Sequence, residues 1–353
     1  MLELVATLEA LEHGHFPGTA GLDALRPSVN LPVLSGARVA VDPSAPFVSC
    51  NSAFAGSNAA LVVAHGSPLG AGESASPAPA HSRLPPLFVH GVFVDVAERH
   101  LTELRAPARA DTRGHDRATQ LLLHGVLGAL AHTGLVLRGA ARERTGLFVG
   151  MLRPSPESSA AFRDSIDERG AARPDVSAFA RVVLNAALGA VAKTLDVRGP
   201  ESSLVSGEGS GLAALYAAAR VLETQNDVDQ IVVAAVDVLD AAPSPPGQRG
   251  LPMRDAVVAL VLSKQPPAHG EVAVRLAGLG IAGGGQGGLA STRAGWDAGT
   301  CAPTLAPELP ASGGLVAFAA AVKGMVAGEV QRACVSSAGG TVSVATLLER
   351  MKT

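Results

Sequence analysis

Aromatic residues make up only 3% of the 353-residue chain, with one tryptophan and one tyrosine. Stacking platforms for single-stranded nucleic acid need aromatic faces, so composition argues against that class of partner. Charge argues against it as well. The 28 basic and 31 acidic residues leave a net charge of −3, neither a basic excess suited to a phosphate backbone nor an acidic tail. Cysteine is scarce: Cys50, Cys301 and Cys334 lie far apart without CxxC spacing, which argues against disulfides and for a reducing, cytoplasmic setting. The ten histidines form no HExxH or HxxxH pair, so no metal is expected. No cofactor is expected either, since the run Gly283-Gly284-Gly285-Gln286-Gly287-Gly288 lacks the Lys-Ser/Thr and helix of a phosphate loop. No uninterrupted apolar run reaches the ~18 residues of a membrane span. The opening Met1-Leu2-Glu3-Leu4 lacks the basic start of a secretory signal.

What the chain does have is small and branched apolar residues, chiefly Ala, Val and Leu, within a hydrophobic fraction of 47%. Leu4, Leu8 and Leu11 follow helical spacing over Met1 to Gly14, with no N-cap before them, as if the natural element began upstream. His13, near the end of that helix, reads as structural, a residue favoured by the dipole of the helix C-terminus. Leu34 to Val41 and Phe47 to Val63 read as strand regions. Residues 66–86 are crowded with Pro, Ser and Ala and have no apolar period, which predicts a linker. Beyond it, helices are predicted over Asp116 to Thr133, Val182 to Leu195 and Leu212 to Leu222. Strands are predicted over Thr145 to Val149, Ser203 to Val205, Gln230 to Val236 and Asp255 to Leu262. Such alternation predicts a layered α/β domain with strands covered on both faces.

One internal repeat is visible. Met1 to Gly14 lies on Leu315 to Gly328 without a gap, each an apolar helix ending in glycine. A Ser-rich strand and a glycine turn follow both, at Ser52 to Leu61 and at Ser337 to Ala345. Chance likeness between Ala-rich helices is the competing explanation; the shared order of helix, strand and turn favours a repeat.

The chemically suggestive segment is Ser206-Gly207-Glu208-Gly209-Ser210, a predicted strand–turn–helix rich in glycine. Such a turn exposes one side chain at the N-terminus of a helix, and enzymes use it to present Ser or Cys. Here the tip is Glu208. A carboxylate there is simply stabilised by the helix N-terminus, by ~0.3–1 kcal/mol; a general base or a mimic of a bound carboxylate is the sharper alternative. Cys301 and Cys334 have no histidine near them in sequence and read as structural rather than as relocated nucleophiles.

Around this turn the sequence resembles the β-ketoacyl-acyl-carrier-protein synthases, of thiolase-like fold. The matching segments run in the family's order. They are Asp116-Arg117-Ala118-Thr119, then Arg144-Thr145-Gly146-Leu147-Phe148-Val149-Gly150, then Asn185-Ala186 with Gly189 and Gly199-Pro200. Gly209-Ser210-Gly211-Leu212-Ala213-Ala214 and the run from Asp255 to Leu262 complete the set. The resemblance implies an α/β fold of thiolase-like layered α/β/α/β/α architecture, abbreviated in its second half, over residues 87–353. Residues 1–65, through Asn51-Ser52-Ala53-Phe54-Ala55-Gly56-Ser57-Asn58, resemble the C-terminal tail of such a synthase.

That family's chemistry needs a cysteine and two histidines. Position by position, the cysteine falls on Glu208, the first histidine near Ala298 and the second near Pro307. No histidine follows His269. The resemblance therefore implies a non-condensing, chain-length-factor-like subunit of fatty acid or polyketide biosynthesis. Its elbow, Ser206 to Ser210, would shape the acyl pocket of an active synthase partner in a heterodimer that meets acyl carrier protein. The alternatives are a malonyl-carrier decarboxylase or acyltransferase using Glu208, and a truncated or decayed synthase fragment.

Overall fold

The computed structural model describes residues 2–16, 39–42, 47–52, 58–63, 86–106, 114–153, 155–239, 254–267, 272–283, 301–303, 309–338 and 342–351. The chain forms two compact units, Met1–Pro77 and Ala78–Thr353.

In the first unit, α1 (Leu2–Glu12) leaves its last turn through Gly14, whose φ of +71° is the left-handed conformation that ends helices. His13 donates from Nδ1 to the Glu9 carbonyl at 2.8 Å, which also accepts the His13 N–H at 3.2 Å. Short strands β1 (His15–Phe16) and β2 (Val39–Ala40) pair antiparallel, and β3 (Phe47–Ser52) pairs antiparallel with β4 (Asn58–Val63) as a separate two-stranded sheet. Of the strand predicted over Leu34 to Val41, residues 34–38 lie outside the described residues, as do residues 66–85 of the predicted linker.

The second unit opens with β5 (Leu87–Val96) and α2 (Arg117–Thr133). Asp116 caps α2 by accepting from the Thr119 N–H at 3.0 Å, and Gly134 (φ +65°) stops it. Next come α3 (Ala140–Glu143), β6 (Thr145–Met151), α4 (Pro156–Arg169), α5 (Val176–Val182) and α6 (Ala186–Leu195). The helix expected over Val182 to Leu195 begins only at Ala186; a separate helix, α5, ends at Val182, and the two are bent by 91°. The break falls after the β-branched pair Val182-Val183, whose stiff side chains disfavour helix, and Val183 is extended (φ −69°, ψ 138°). The chain continues through β7 (Glu201–Leu204), α7 (Ser210–Thr224), β8 (Gln230–Asp237), β9 (Ala256–Ser263) and β10 (Ala273–Gly283). It closes with β11 (Cys301–Pro303), α8 (Gly313–Ala327), β12 (Arg332–Ala338) and β13 (Val342–Met351).

Nine strands make one mixed sheet in the order β11-β12-β13-β10-β5-β9-β8-β6-β7. Alternation along β8 sorts the core. Ile231, Val233 and Ala235 face α7 and α8, while Val232, Ala234 and Val236 face α2 and α6. α7 and α8 also pack against Val335, Val344 and Leu348 of β12 and β13, so one helical layer serves both halves of the sheet. β6 and β8 are buried along nearly their whole length, which explains their continuous apolar sequence. The architecture is a layered α/β fold, as the alternation of elements predicts.

Cys334 is disulfide-bonded, where the spacing of the cysteines and the expected reducing setting argued against disulfides. Spacing along the chain could not show this. The parallel ladder of β11 and β12 sets Cys301 in register with Cys334, joining positions remote in sequence.

Candidate functional site

The three parallel strands β6, β7 and β8 end at the same edge of the sheet, where open α/β sheets place their sites. There the chain turns from β7 into α7 through Ser206, Gly207, Glu208 and Gly209. Gly207 has φ +60°, which a side chain would strain. Ser210 locks the turn from inside: its Oγ accepts from the Ser206 N–H at 2.9 Å and donates to the Gly207 carbonyl at 2.7 Å. Gly150 of β6 lies directly beneath, where a Cβ would overlap the backbone of Ser210.

The helix N-terminus that could cradle an anion is already engaged. The N–H groups of Gly209 and Ser210 donate to the carbonyls of Ser206 and Gly207, and that of Gly211 donates to Ala311 at 3.1 Å. The Glu208 carbonyl accepts from the Ser337 Oγ of β12 at 2.8 Å. The elbow is thus a joint between the two halves of the unit, with its first donors turned to protein carbonyls rather than to a developing oxyanion. The Glu208 side chain is half-buried at its tip. Ala298 and Pro307 lie outside the described residues.

Two buried carboxylates, absent from the sequence reading as site residues, organise the same sheet end. Asp237, the last residue of β8, accepts from the Ala311 N–H (3.0 Å), the Ser312 N–H (2.8 Å) and the Ser312 Oγ (2.6 Å). From a distant strand it holds the two residues that lead into α8. Burial pushes its pKa above the usual carboxylate value, although these three donors oppose the rise. The only sequence signal was an acid closing an apolar run. Asp255, fully buried before β9, accepts from the Leu239 N–H (2.9 Å), the Leu101 N–H (3.1 Å), His100 (3.1 Å) and Arg117 Nε (3.0 Å). Burial works to raise its pKa, yet the Leu239 N–H and the Arg117 guanidinium together hold it below the ordinary value. A small recess of about 20 Å³ lies beside Asp237 and is lined by Leu122, Met151, Arg153, Ala187 and Val236.

The buried His124 is committed elsewhere. Its Nδ1 accepts from the Arg105 N–H at 2.8 Å, so Nε2 carries the proton and donates to Asp95 at 2.9 Å. With both nitrogens engaged, this pair braces α2 against β5 and offers no free base. Among the described residues, no group of His, Cys, Asp or Glu is placed to hold a metal ion. No single described helix is long and apolar enough to cross a membrane.

Residues 90–243 match the family model of the beta-ketoacyl synthase N-terminal domain. The resemblance to the β-ketoacyl synthase family is thereby borne out over that segment, and the chain shares its fold with solved ketosynthases. "The ishigamide ketosynthase/chain length factor" is similar at a TM-score of 0.54 and 19% identity, over 68% of this chain and 82% of that one. A type II polyketide ketosynthase complex with its acyl-carrier protein (AntDE:AntF) matches at TM-score 0.62 and 11% identity, over 76% of this chain and 100% of that one. The "Ketosynthase (ApeO) in Complex with its Chain Length Factor (ApeC) from Xenorhabdus doucetiae" matches at TM-score 0.52 and 13% identity, over 77% and 100%. At such identities the likeness is one of fold. No curated protein matches the chain in sequence.

Proposed function

We propose that the second unit is a non-condensing ketosynthase-like subunit that pairs with an active synthase and helps to shape the pocket for its acyl chain. The observation that carries this reading is an apolar surface on the segment leading through the elbow. Of the nine large apolar side chains exposed among the described residues, five lie there: Val176 (72% exposed), Phe179 (55%), Val183 (50%), Leu184 (47%) and Val205 (44%). Concentrated exposure of this kind marks an interaction surface. β7, beside it, is the terminal strand of the sheet among the described residues, and an edge strand next to apolar side chains suits a structurally similar partner. The glutamate at the elbow, the engaged N–H groups and the absence of any histidine after His269 all support a subunit without condensing chemistry. Ketosynthase with chain length factor, and ketosynthase with acyl-carrier protein, are assemblies named among its structural neighbours. They make an active synthase and an acyl carrier protein the partners to test.

Co-expression with an active ketosynthase from the same genome should yield a heterodimer on size exclusion. A lone monomer under all loading concentrations would sink the reading. The half-buried Glu208 carboxylate favours one alternative, a decarboxylase. Malonyl-carrier protein incubated with the purified chain should release no carbon dioxide above background; release abolished by Glu208→Ala would establish the enzyme instead. For residues 1–65 we propose a synthase-tail segment, joined by the 66–86 linker to the main domain.

A further inference from the structure

The first unit repeats the closing motif of the second. α1 exits through Gly14 (φ +71°) and precedes the antiparallel hairpin β3–β4; α8 exits through Gly328 (φ +85°) and precedes the antiparallel hairpin β12–β13. The first strand of each hairpin carries a cysteine two residues before a serine, Cys50-Asn51-Ser52 and Cys334-Val335-Ser336. Helix, left-handed glycine and hairpin thus recur in the same order, with the short strands β1 and β2 intervening in the first unit only.

The two copies differ in what completes them. In the second unit β13 has a neighbour on each side: β12, and β10, which runs antiparallel to it from Ala273↔Met351 to Gly283↔Val342. In the first unit, among the described residues, β3 and β4 form a sheet of two strands. A two-stranded hairpin is marginal in water, and an unpaired edge is a template for another strand. The chain's own β10 cannot fill the place without leaving its partners, since it is paired to β13 along its length and to β5 at its start.

We infer that the first unit is a strand-accepting module: β4 takes, antiparallel, a strand of the β10 type from a second synthase-like chain, as β13 takes β10. The occupant is defined by the module's own completed copy. It is a Gly-interrupted apolar strand resembling Ala273–Gly283, presented by a synthase-like sheet that lacks its own closing helix and hairpin. Binding follows the strand-addition mode, in which main-chain hydrogen bonds give affinity. This inference does not rest on the elbow or on heterodimer formation through β7.

The test uses the full chain and a synthetic peptide of residues 273–283 with solubilising lysines at its ends. Hydrogen exchange is followed by mass spectrometry on the segments 58–63 and 342–351. In the free chain the 58–63 amides should exchange far faster than those of 342–351. The peptide should slow the 58–63 amides by about tenfold or more, leaving 342–351 unchanged, while a scrambled peptide has no effect. The inference is overturned if 58–63 is already as protected as 342–351 in the free chain. It is equally overturned if the peptide acts no better than its scramble, or protects only 342–351.

Discussion

The Ser337 hydroxyl donates to the main-chain carbonyl of Glu208 at 2.8 Å, tying the tip of the elbow directly to β12. Replacing Ser337 by alanine leaves that carbonyl without its donor. A net loss of about 0.5–1.5 kcal/mol is expected, read as a lower midpoint in urea. A midpoint unchanged within error would show that the tie carries no stability.

Asp255 predicts a pH dependence. Its pKa is depressed in the fold, burial resisting and the Leu239 N–H and Arg117 prevailing, so its stabilisation is present above the unfolded carboxylate value of about 3.9. That stabilisation is lost as pH falls through the lower, folded value. Asp255→Asn should cost about 3 kcal/mol at pH 7, the low end for breaking a buried pair, and should flatten the acid limb of the stability profile. Asp237 runs the other way: its raised pKa gives a contribution greatest in acid that declines as pH rises through the folded value. Thermal melts between pH 3 and 8 on both Asn variants would separate the two slopes.

Gly150→Val places a branched side chain against the backbone of Ser210, which cannot yield as a flexible side chain would. A loss of about 3 kcal/mol or more is expected, the upper range for overpacking. Far-ultraviolet melts would show it as a fall in Tm. An unchanged Tm would mean that β6 and α7 separate more easily than their contact suggests.

Phe179→Asp changes a side chain that is 55% exposed and packs only partly, against Phe162 at 5.3 Å between ring centroids. The lone protein should keep its Tm within a few degrees, while pairing with an active synthase should weaken at least tenfold in a titration. Equal affinity in the variant would remove this surface from the proposed interface.

Cys334 should resist alkylation in the native, unreduced protein and react after a phosphine reductant, as peptide mass mapping can follow. Full labelling without reductant would show that the bond does not persist in solution.

Elements whose pattern is set locally were legible in the sequence. α2 announces itself through Asp116, its apolar stripe and Gly134, and β8 and β9 through short branched runs. The break between α5 and α6 was not legible, because a stiff Val182-Val183 pair is tolerated in many helices and only the packing decides. Glu208 at the tip could be read directly. Its fixing partners could not, since Ser337, Ala311 and Gly150 reach the turn from three elements remote in sequence. Asp237 escaped for the same reason: its partners sit about 75 residues away, on the approach to α8.

The two halves of the large sheet meet where β5 and β10 are joined by three residue pairs, Val274↔Val89, Arg275↔Phe88 and Leu276↔Leu87. The halves are otherwise linked by the shared helices α7 and α8 and by the Ser337–Glu208 hydrogen bond. A ladder so short makes the seam a natural boundary between cooperative folding units. The strands from β10 onward can then open together as one partially unfolded form, while the five strands from β5 to β7 stay closed. In such a form the hold on Glu208 from β12 would be released along with the hairpin, so the elbow's rigidity depends on the stability of a region on the far side of the seam.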